Sequence, residues 1–249
     1  MTMLEVRNVT KRFGSLVAVK DVSMSVKAGE LRAIIGPNGA GKTTFFNMIS
    51  GYFPPTSGSI LLEGKDVTQV PAHKRVALGM GRTFQITEIF PELTVHENVL
   101  TAAEVAAGQT LHMLPKRSDA KLANDVAAET LAQVGLTAKA DRLVGELSHG
   151  DQRTTEIAMA LAQLPRLLLL DEPTAGMGDQ ETYEITTLIR RLHRERNYTI
   201  ILIEHDMRVV FNLADSITVL DRGNLLAQGT PDQIAASEAV QAAYRGESR

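Results

Sequence analysis

Residues 36–43, Gly-Pro-Asn-Gly-Ala-Gly-Lys-Thr, satisfy the phosphate-loop pattern Gly-x-x-x-x-Gly-Lys-Ser/Thr, and their flanks restrict the fold around them. Ahead of them runs Leu31-Arg32-Ala33-Ile34-Ile35, a short apolar stretch of the kind buried on both faces of a parallel sheet. Behind them, Thr44-Phe45-Phe46-Asn47-Met48-Ile49 predicts the first turns of a helix. Strand, glycine-rich turn and helix form the cradle that a polyphosphate needs. Glycines let the backbone approach an anion and turn its N–H groups inward, and the helix N-terminus adds partial positive charge. Gly36, Pro37, Asn38, Gly39, Ala40, Gly41, Lys42, Thr43 and Thr44 are the expected phosphate-contacting residues. Lys42 reaches the β- and γ-phosphates in such a loop, and the Thr43 hydroxyl ligates Mg²⁺. The expected ligand is a nucleoside triphosphate, ATP with Mg²⁺.

A chain of 249 residues has room for one large α/β domain with a sizeable core. Its hydrophobic fraction of 44% and charged fraction of 22% are ordinary for a globular protein. A net charge of −3 argues against a general binder of nucleic acid or anionic lipid. With no cysteine, disulfides and thiolate metal sites are excluded. No apolar stretch approaches the length of a membrane span, and residues 1–7 lack the layout of a signal peptide. The expected location is the cytoplasm, with any membrane reached through a partner.

Residues 3–35 and 58–70 hold strand candidates broken by Gly, Asn and Asp, as in an antiparallel sheet. Residues 94–134 are alanine-rich, and Leu122, Val126, Thr130, Leu131 and Val134 recur at helical spacing. Ala107-Gly108-Gln109-Thr110, with Pro115 and Ser118, reads as a loop between helices. The α/β pattern resumes after Pro165: strand 167–170, helix near 181–196, strand 199–203, helix near 206–213, then a hairpin turning through Asp221-Arg222-Gly223-Asn224.

Leu167-Leu168-Leu169-Leu170-Asp171-Glu172 predicts a central strand that delivers two carboxylates to the sheet edge where ligands bind. Asp171 is placed to hold Mg²⁺, and Glu172 to orient or deprotonate an attacking water.

Many phosphate-loop families share these two motifs. Leu147-Ser148-His149-Gly150-Asp151-Gln152-Arg153 narrows the choice, because here the chain resembles the ATP-binding cassette (ABC) family and its Leu-Ser-Gly-Gly-Gln signature. Leu147, Ser148 and Gly150 match, His149 and Asp151 depart, and the glutamine is displaced to Gln152. The resemblance implies that Ser148 and Gly150 contact the γ-phosphate held by the other cassette of a dimer. Read alone, Ser148 is an N-cap for a helix starting near Gly150. The same resemblance makes Phe13, 23 residues before Gly36, an adenine-stacking aromatic, with a strand-core aromatic as the alternative. It makes Gln85, 43 residues after Lys42, a sensor of Mg²⁺ and water, and His205 a switch that bonds the γ-phosphate. Catalytic duty therefore falls to Glu172, His205, Gln85 and Lys42, and metal duty to Thr43, Gln85 and Asp171.

The resemblance covers the whole chain as one domain. It implies an α/β fold: a RecA-like P-loop NTPase core with an N-terminal antiparallel β subdomain (together about 1–85 and 165–249) and an inserted α-helical subdomain (about 86–164). Ala175-Gly176-Met177, Glu204-His205-Asp206-Met207 and Ala243-Tyr244-Arg245-Gly246-Glu247 look like the ATPases of bacterial branched-chain amino acid importers. That likeness implies an ATPase at the cytoplasmic face of the inner membrane, held by transmembrane permease subunits and fed indirectly by an external solute-binding protein. It would pair with a second cassette, a sister or itself, and bind no nucleic acid. Urea, amides or aromatic acids are alternative cargoes, and a non-transport ABC ATPase or a P-loop kinase or GTPase are rival classes. The stretch Gln85 to Asn98, with Ile86, Ile89 and Phe90, is where the family docks its membrane subunit. Gly178 stands where the family's dimer-sensing loop usually has aspartate.

Overall fold

The computed structural model describes residues 1–83, 89–106 and 117–245. The chain divides into two compact units, Met1–Arg75 with Arg190–Arg249, and Val76–Ile189.

The first unit begins with two long strands, β1 (Thr2–Phe13) and β2 (Leu16–Lys27), paired antiparallel. With β4 (Ser57–Leu62) and β5 (Lys65–Asp66) they form a sheet of order β2-β1-β4-β5. Leu4, Val6, Val9, Val22, Met24, Val26, Ile60 and Leu62 line its buried side, the alternation expected of a half-covered antiparallel sheet. The second layer is built on β3 (Leu31–Ile35), which pairs in parallel with β8 (Thr199–Ile203) and β9 (Ser216–Asp221). Between β8 and β9, β3 is buried except at Arg32, and β8 is buried throughout, so neither shows the alternation of a half-covered strand. β10 (Asn224–Gly229) returns antiparallel to β9 through Arg222 (φ 45°) and Gly223 (φ 79°). Two left-handed residues in a two-residue loop match the strands' right-handed twist.

Helix α1 (Lys42–Ser50) buries Phe45, Phe46, Met48 and Ile49, each contributing about 1.5–3 kcal/mol. Its C-terminal carbonyls meet Arg75 on α2 (Ala72–Val76): Nη1 donates to Ile49 O at 2.5 Å and Met48 O at 3.1 Å. Arg75 also donates to Val67 O, Thr68 O and Val70 O. Burial brings its pKa down to about 10, since it disfavours the charged form.

In the second unit, β6 (Met80–Arg82) runs parallel to β7 (Leu167–Asp171). Helices α3 (Val95–Ala106), α4 (Arg117–Val134) and α5 (His149–Ala162) pack together. The buried face of α4 is Ala123, Ala127, Thr130, Leu131 and Val134, while Leu122 is 59% exposed and Val126 half-buried. The expected stripe is thus rotated by one residue at its start. The small residues Ala123 and Ala127 of α4, and Ala102 and Ala103 of α3, are the buried ones instead. Ser118 lies in the first turn of α4 and not in a loop; Ala107–Thr110 and Pro115 fall outside the described residues. Helix α6 (Asp179–Arg196) begins in the second unit and ends in the first. Helices α7 (Met207–Leu213), α8 (Pro231–Ala235) and α9 (Glu238–Arg245) belong to the first unit. Among the described residues, no helix is long and apolar enough to cross a membrane.

Candidate functional site

The phosphate loop leaves β3 and enters α1 as its sequence predicts. Gly36 has φ 151° and Gly41 φ 97°, and a Cβ on either would press against backbone, 2.1 Å from Leu220 O and 2.6 Å from Ala18 O. These contacts make glycine obligatory at both positions. The loop is braced by Gly223, whose N–H donates to Ala40 O at 3.0 Å. Lys42 Nζ curls back to donate to Gly36 O at 2.6 Å and Pro37 O at 3.0 Å, and the residue is buried. A cation held by two loop carbonyls needs only a small movement to trade them for phosphate oxygens. Pro37 and Ala40 are buried, whereas Asn38, Gly39 and Thr43 are exposed and Thr44 is half-buried.

His205 follows β8 as the phosphate loop follows β3. The pairing Ile34↔Ile203 sets Gly36 and His205 two residues beyond paired positions, so both leave the same sheet edge. The His205 ring is 63% exposed, with Nδ1 3.7 Å from Glu204 Oε2. Glu204 is fully buried and accepts the His205 N–H at 2.9 Å. Asp206 caps α7 by accepting the Arg208 N–H at 2.8 Å, and its carboxyl is held below the usual carboxylate range by the Arg208 hydrogen bonds. Phe13, at the end of β1, is 47% exposed and therefore no core residue. Its ring meets Phe53 edge-on at 5.6 Å, and Lys11 Nζ lies 5.3 Å from the Phe13 centroid. An exposed, laterally braced ring is what stacking on a base requires.

In the second unit, β7 delivers Asp171 to its C-terminal tip. Asp171 is 1% exposed; Oδ2 lies 3.4 Å from Arg82 Nη2 on β6, and buried Oδ1 has no hydrogen-bond partner among the described residues. Burial raises its carboxyl pKa above the usual range, against the opposing pull of Arg82. A buried hard oxygen without a donor fits a divalent-cation ligand, direct or through water. Glu172 is the next residue, half-buried, with φ 46°. Gln85 lies outside the described residues, as does Ile86; of the expected docking stretch, Ile89 is half-buried and Phe90 is 49% exposed.

Ser148 is the N-cap of α5, its hydroxyl accepting the Asp151 N–H at 3.2 Å. His149 is the first helical residue and keeps negative φ, so the glycine usual there is not needed for the backbone. Gln152 is structural: its amide donates to Val144 O at 3.3 Å and Leu147 O at 3.2 Å. Asp151 pairs with Lys139 at 2.5 Å. Gly150 N donates at 3.1 Å to Glu181 Oε1 on α6, and Gly178 N at 3.4 Å to Glu181 Oε2. Gly178 lacks a left-handed φ, and a Cβ there meets nothing within 4 Å, so its backbone accepts other residues.

Three residues escaped the sequence reading: Arg82, Arg153 and Glu181. Arg82 and Arg153 stand inside motifs that the sequence displays, but partner choice across a fold has no local spacing. Arg153, 9% exposed on α5, donates to Asp171 O and Pro173 O and pairs with Glu156.

The ABC transporter family profile matches residues 19–175. The chain is 42% identical to the high-affinity branched-chain amino acid transport ATP-binding protein BraF of Pseudomonas aeruginosa, over 99% of this chain and 98% of the relative. It is 41% identical to the corresponding protein LivG of Escherichia coli, with the same coverage. Among solved structures, the ADP conformation of MJ1267, an ATP-binding cassette of an ABC transporter, matches with a TM-score of 0.88 at 31% identity, covering 99% of each chain. Phosphate loop, acidic strand and capped signature helix thus occur here in a chain that matches these cassettes from end to end. The chain belongs to the ABC transporter family, as an ATP-hydrolysing cassette.

Proposed function

We propose that the chain powers a membrane importer of branched-chain or related hydrophobic amino acids. The observation that carries this reading is identity above 40% over nearly full length to two such transport proteins. Its place would be peripheral, at the cytoplasmic face of the inner membrane, held by permease subunits that receive solute from an external binding protein. As the sequence suggests, it would act as one ATP-binding domain with a helical subdomain at about 86–164.

In this reading Phe13 stacks on adenine, and residues 36–44 bind the phosphates through Lys42 and the backbone N–H groups of the residues other than Pro37. Asp171, the Thr43 hydroxyl and Gln85 would hold Mg²⁺, which would neutralise phosphate charge when bound. Glu172 takes a proton from the attacking water, and His205 bonds the γ-phosphate and holds that water's partner in place. Phosphoryl transfer to water rests mainly on positioning and electrostatics, which this set supplies. Ser148 and Gly150 complete the site of a facing cassette: a hydroxyl and an amide at a helix N-terminus suit an anion. ATP then joins two cassettes, and its hydrolysis releases them.

The test is reconstitution in vesicles with branched-chain amino acid permease subunits and a second cassette, plus an external binding protein. Leucine or valine is expected to raise ATP turnover and enter the vesicle. Stimulation by urea, a short amide or an aromatic acid, with none by leucine or valine, overturns the cargo assignment.

A further inference from the structure

We infer that Arg153 is a positioning residue that ties the signature helix to the backbone of Glu172, so that engagement of α5 by a facing cassette sets the general base of this one. This tie deepens the proposed ATPase function and rests on Glu172 as base and on Ser148 and Gly150 as the contact with the facing nucleotide.

Glu172 carries φ 46°, a left-handed conformation that costs a β-carbon-bearing residue about 1–2 kcal/mol and persists only where surroundings impose it. Arg153 imposes it. Its guanidinium donates through Nη2 to Asp171 O, the carbonyl just before Glu172, and through Nε to Pro173 O at 3.3 Å, just after it. A planar fork fits two carbonyls at once, and the third side of the fork is held by Glu156, one turn along α5. Arg153 and Glu156 are 9% and 7% exposed, so water competes little for these bonds. Glu172, Arg153, Glu156 and His149 line one cavity of about 260 Å³, which leaves the Glu172 side chain room to move when its backbone does.

The other end of the tie is short. Gly150 precedes Arg153 by three residues, less than one turn of α5, which rises about 1.5 Å per residue. A rigid helix cannot shift its N-terminus toward a phosphate while an arginine one turn further along stays behind. Displacement at Ser148 and Gly150 is therefore carried to both carbonyls that bracket Glu172. The device links the nucleotide of the facing cassette to the base of this one through a single side chain.

The test is a double-mutant cycle on the purified full-length chain, read as kcat and KM for ATP with a thermal melt of each variant. Arg153→Gln is expected to lower kcat about 10–100-fold with KM changed less than about threefold. Arg153→Lys, which keeps the charge but not the fork, should recover part of kcat. In the Glu172→Gln background, Arg153→Gln should have almost no further effect on kcat, because there is no base left to position. An equal loss in both backgrounds, or an unchanged kcat in Arg153→Gln alone, overturns the proposal. Near-normal turnover in Glu172→Gln alone overturns the assignment of the base, and shows it without any change at Arg153. Should Arg153→Gln unfold, the same cycle run on Arg153→Lys decides by the same criteria.

Discussion

The Glu181 carboxylate caps the N-terminus of the signature helix: Oε1 accepts the Gly150 N–H at 3.1 Å, while Ser148 accepts that of Asp151. A helix start leaves several N–H groups without intrahelical partners, and the positive end of the helix dipole favours an anion there. Glu181 supplies both an acceptor and a charge. Since Gly150 is also the amide assigned to a facing nucleotide, the carboxylate and a γ-phosphate compete for one donor.

Replacing Glu181 by Ala is expected to destabilise the chain by about 0.5–2 kcal/mol, the range for loss of a helix cap. Glu181→Gln keeps an acceptor and should cost less. Denaturant unfolding of the nucleotide-free chain measures both, and equal stability of Glu181→Ala and the parent would contradict the cap.

Asp171→Asn should stabilise the nucleotide-free chain near neutral pH while abolishing metal-dependent ATP hydrolysis. The sign comes from the raised carboxyl pKa. Between the unfolded and the higher folded pKa, the folded state binds more protons, so stability falls as pH rises through that window. The neutral amide removes this slope. Melting curves from pH 4 to pH 8 should show a steeper decline for the parent, and parallel curves would remove the effect.

Glu172→Gln is expected to lower ATP turnover by about 10²–10⁴-fold, as for loss of a general base, with ATP affinity preserved. Single-turnover hydrolysis and equilibrium nucleotide binding separate the two effects. Turnover within a few-fold of the parent would take Glu172 out of that role.

Gly36→Ala places a Cβ 2.1 Å from Leu220 O at φ 151°. The backbone must shift, and a loss on the order of 2–4 kcal/mol with failure of ATP binding is expected. Gly178→Ala has the opposite sign. With open space and no left-handed φ, it should stabilise by about 0.4–1 kcal/mol through the unfolded chain. The pair of melting temperatures, one down and one up, is the measurement.

The amino-acid sequence by itself determined the local elements that carry chemistry. Leu31–Ile35 and Leu167–Asp171 are strands, as short runs dominated by apolar residues predict, and the glycine spacing at 36–41 marks the phosphate loop, although the distant carbonyls of Leu220 and Ala18 are what leave no room for a Cβ at Gly36 and Gly41. Ser148 announced a helix start by residue type alone. Tertiary structure decided what depends on contacts between distant segments. Which face of α4 is buried was decided by its packing on α3 and α5: Ala123, Ala127, Thr130 and Leu131 are covered, while Leu122 is left exposed. Likewise Arg82 on the Asp171 carboxylate, Glu181 on Gly150 and Arg153 on the Asp171 carbonyl join residues 89, 31 and 18 positions apart. Hydrogen-bond partners at such separations are chosen by burial and geometry, which have no period in the chain.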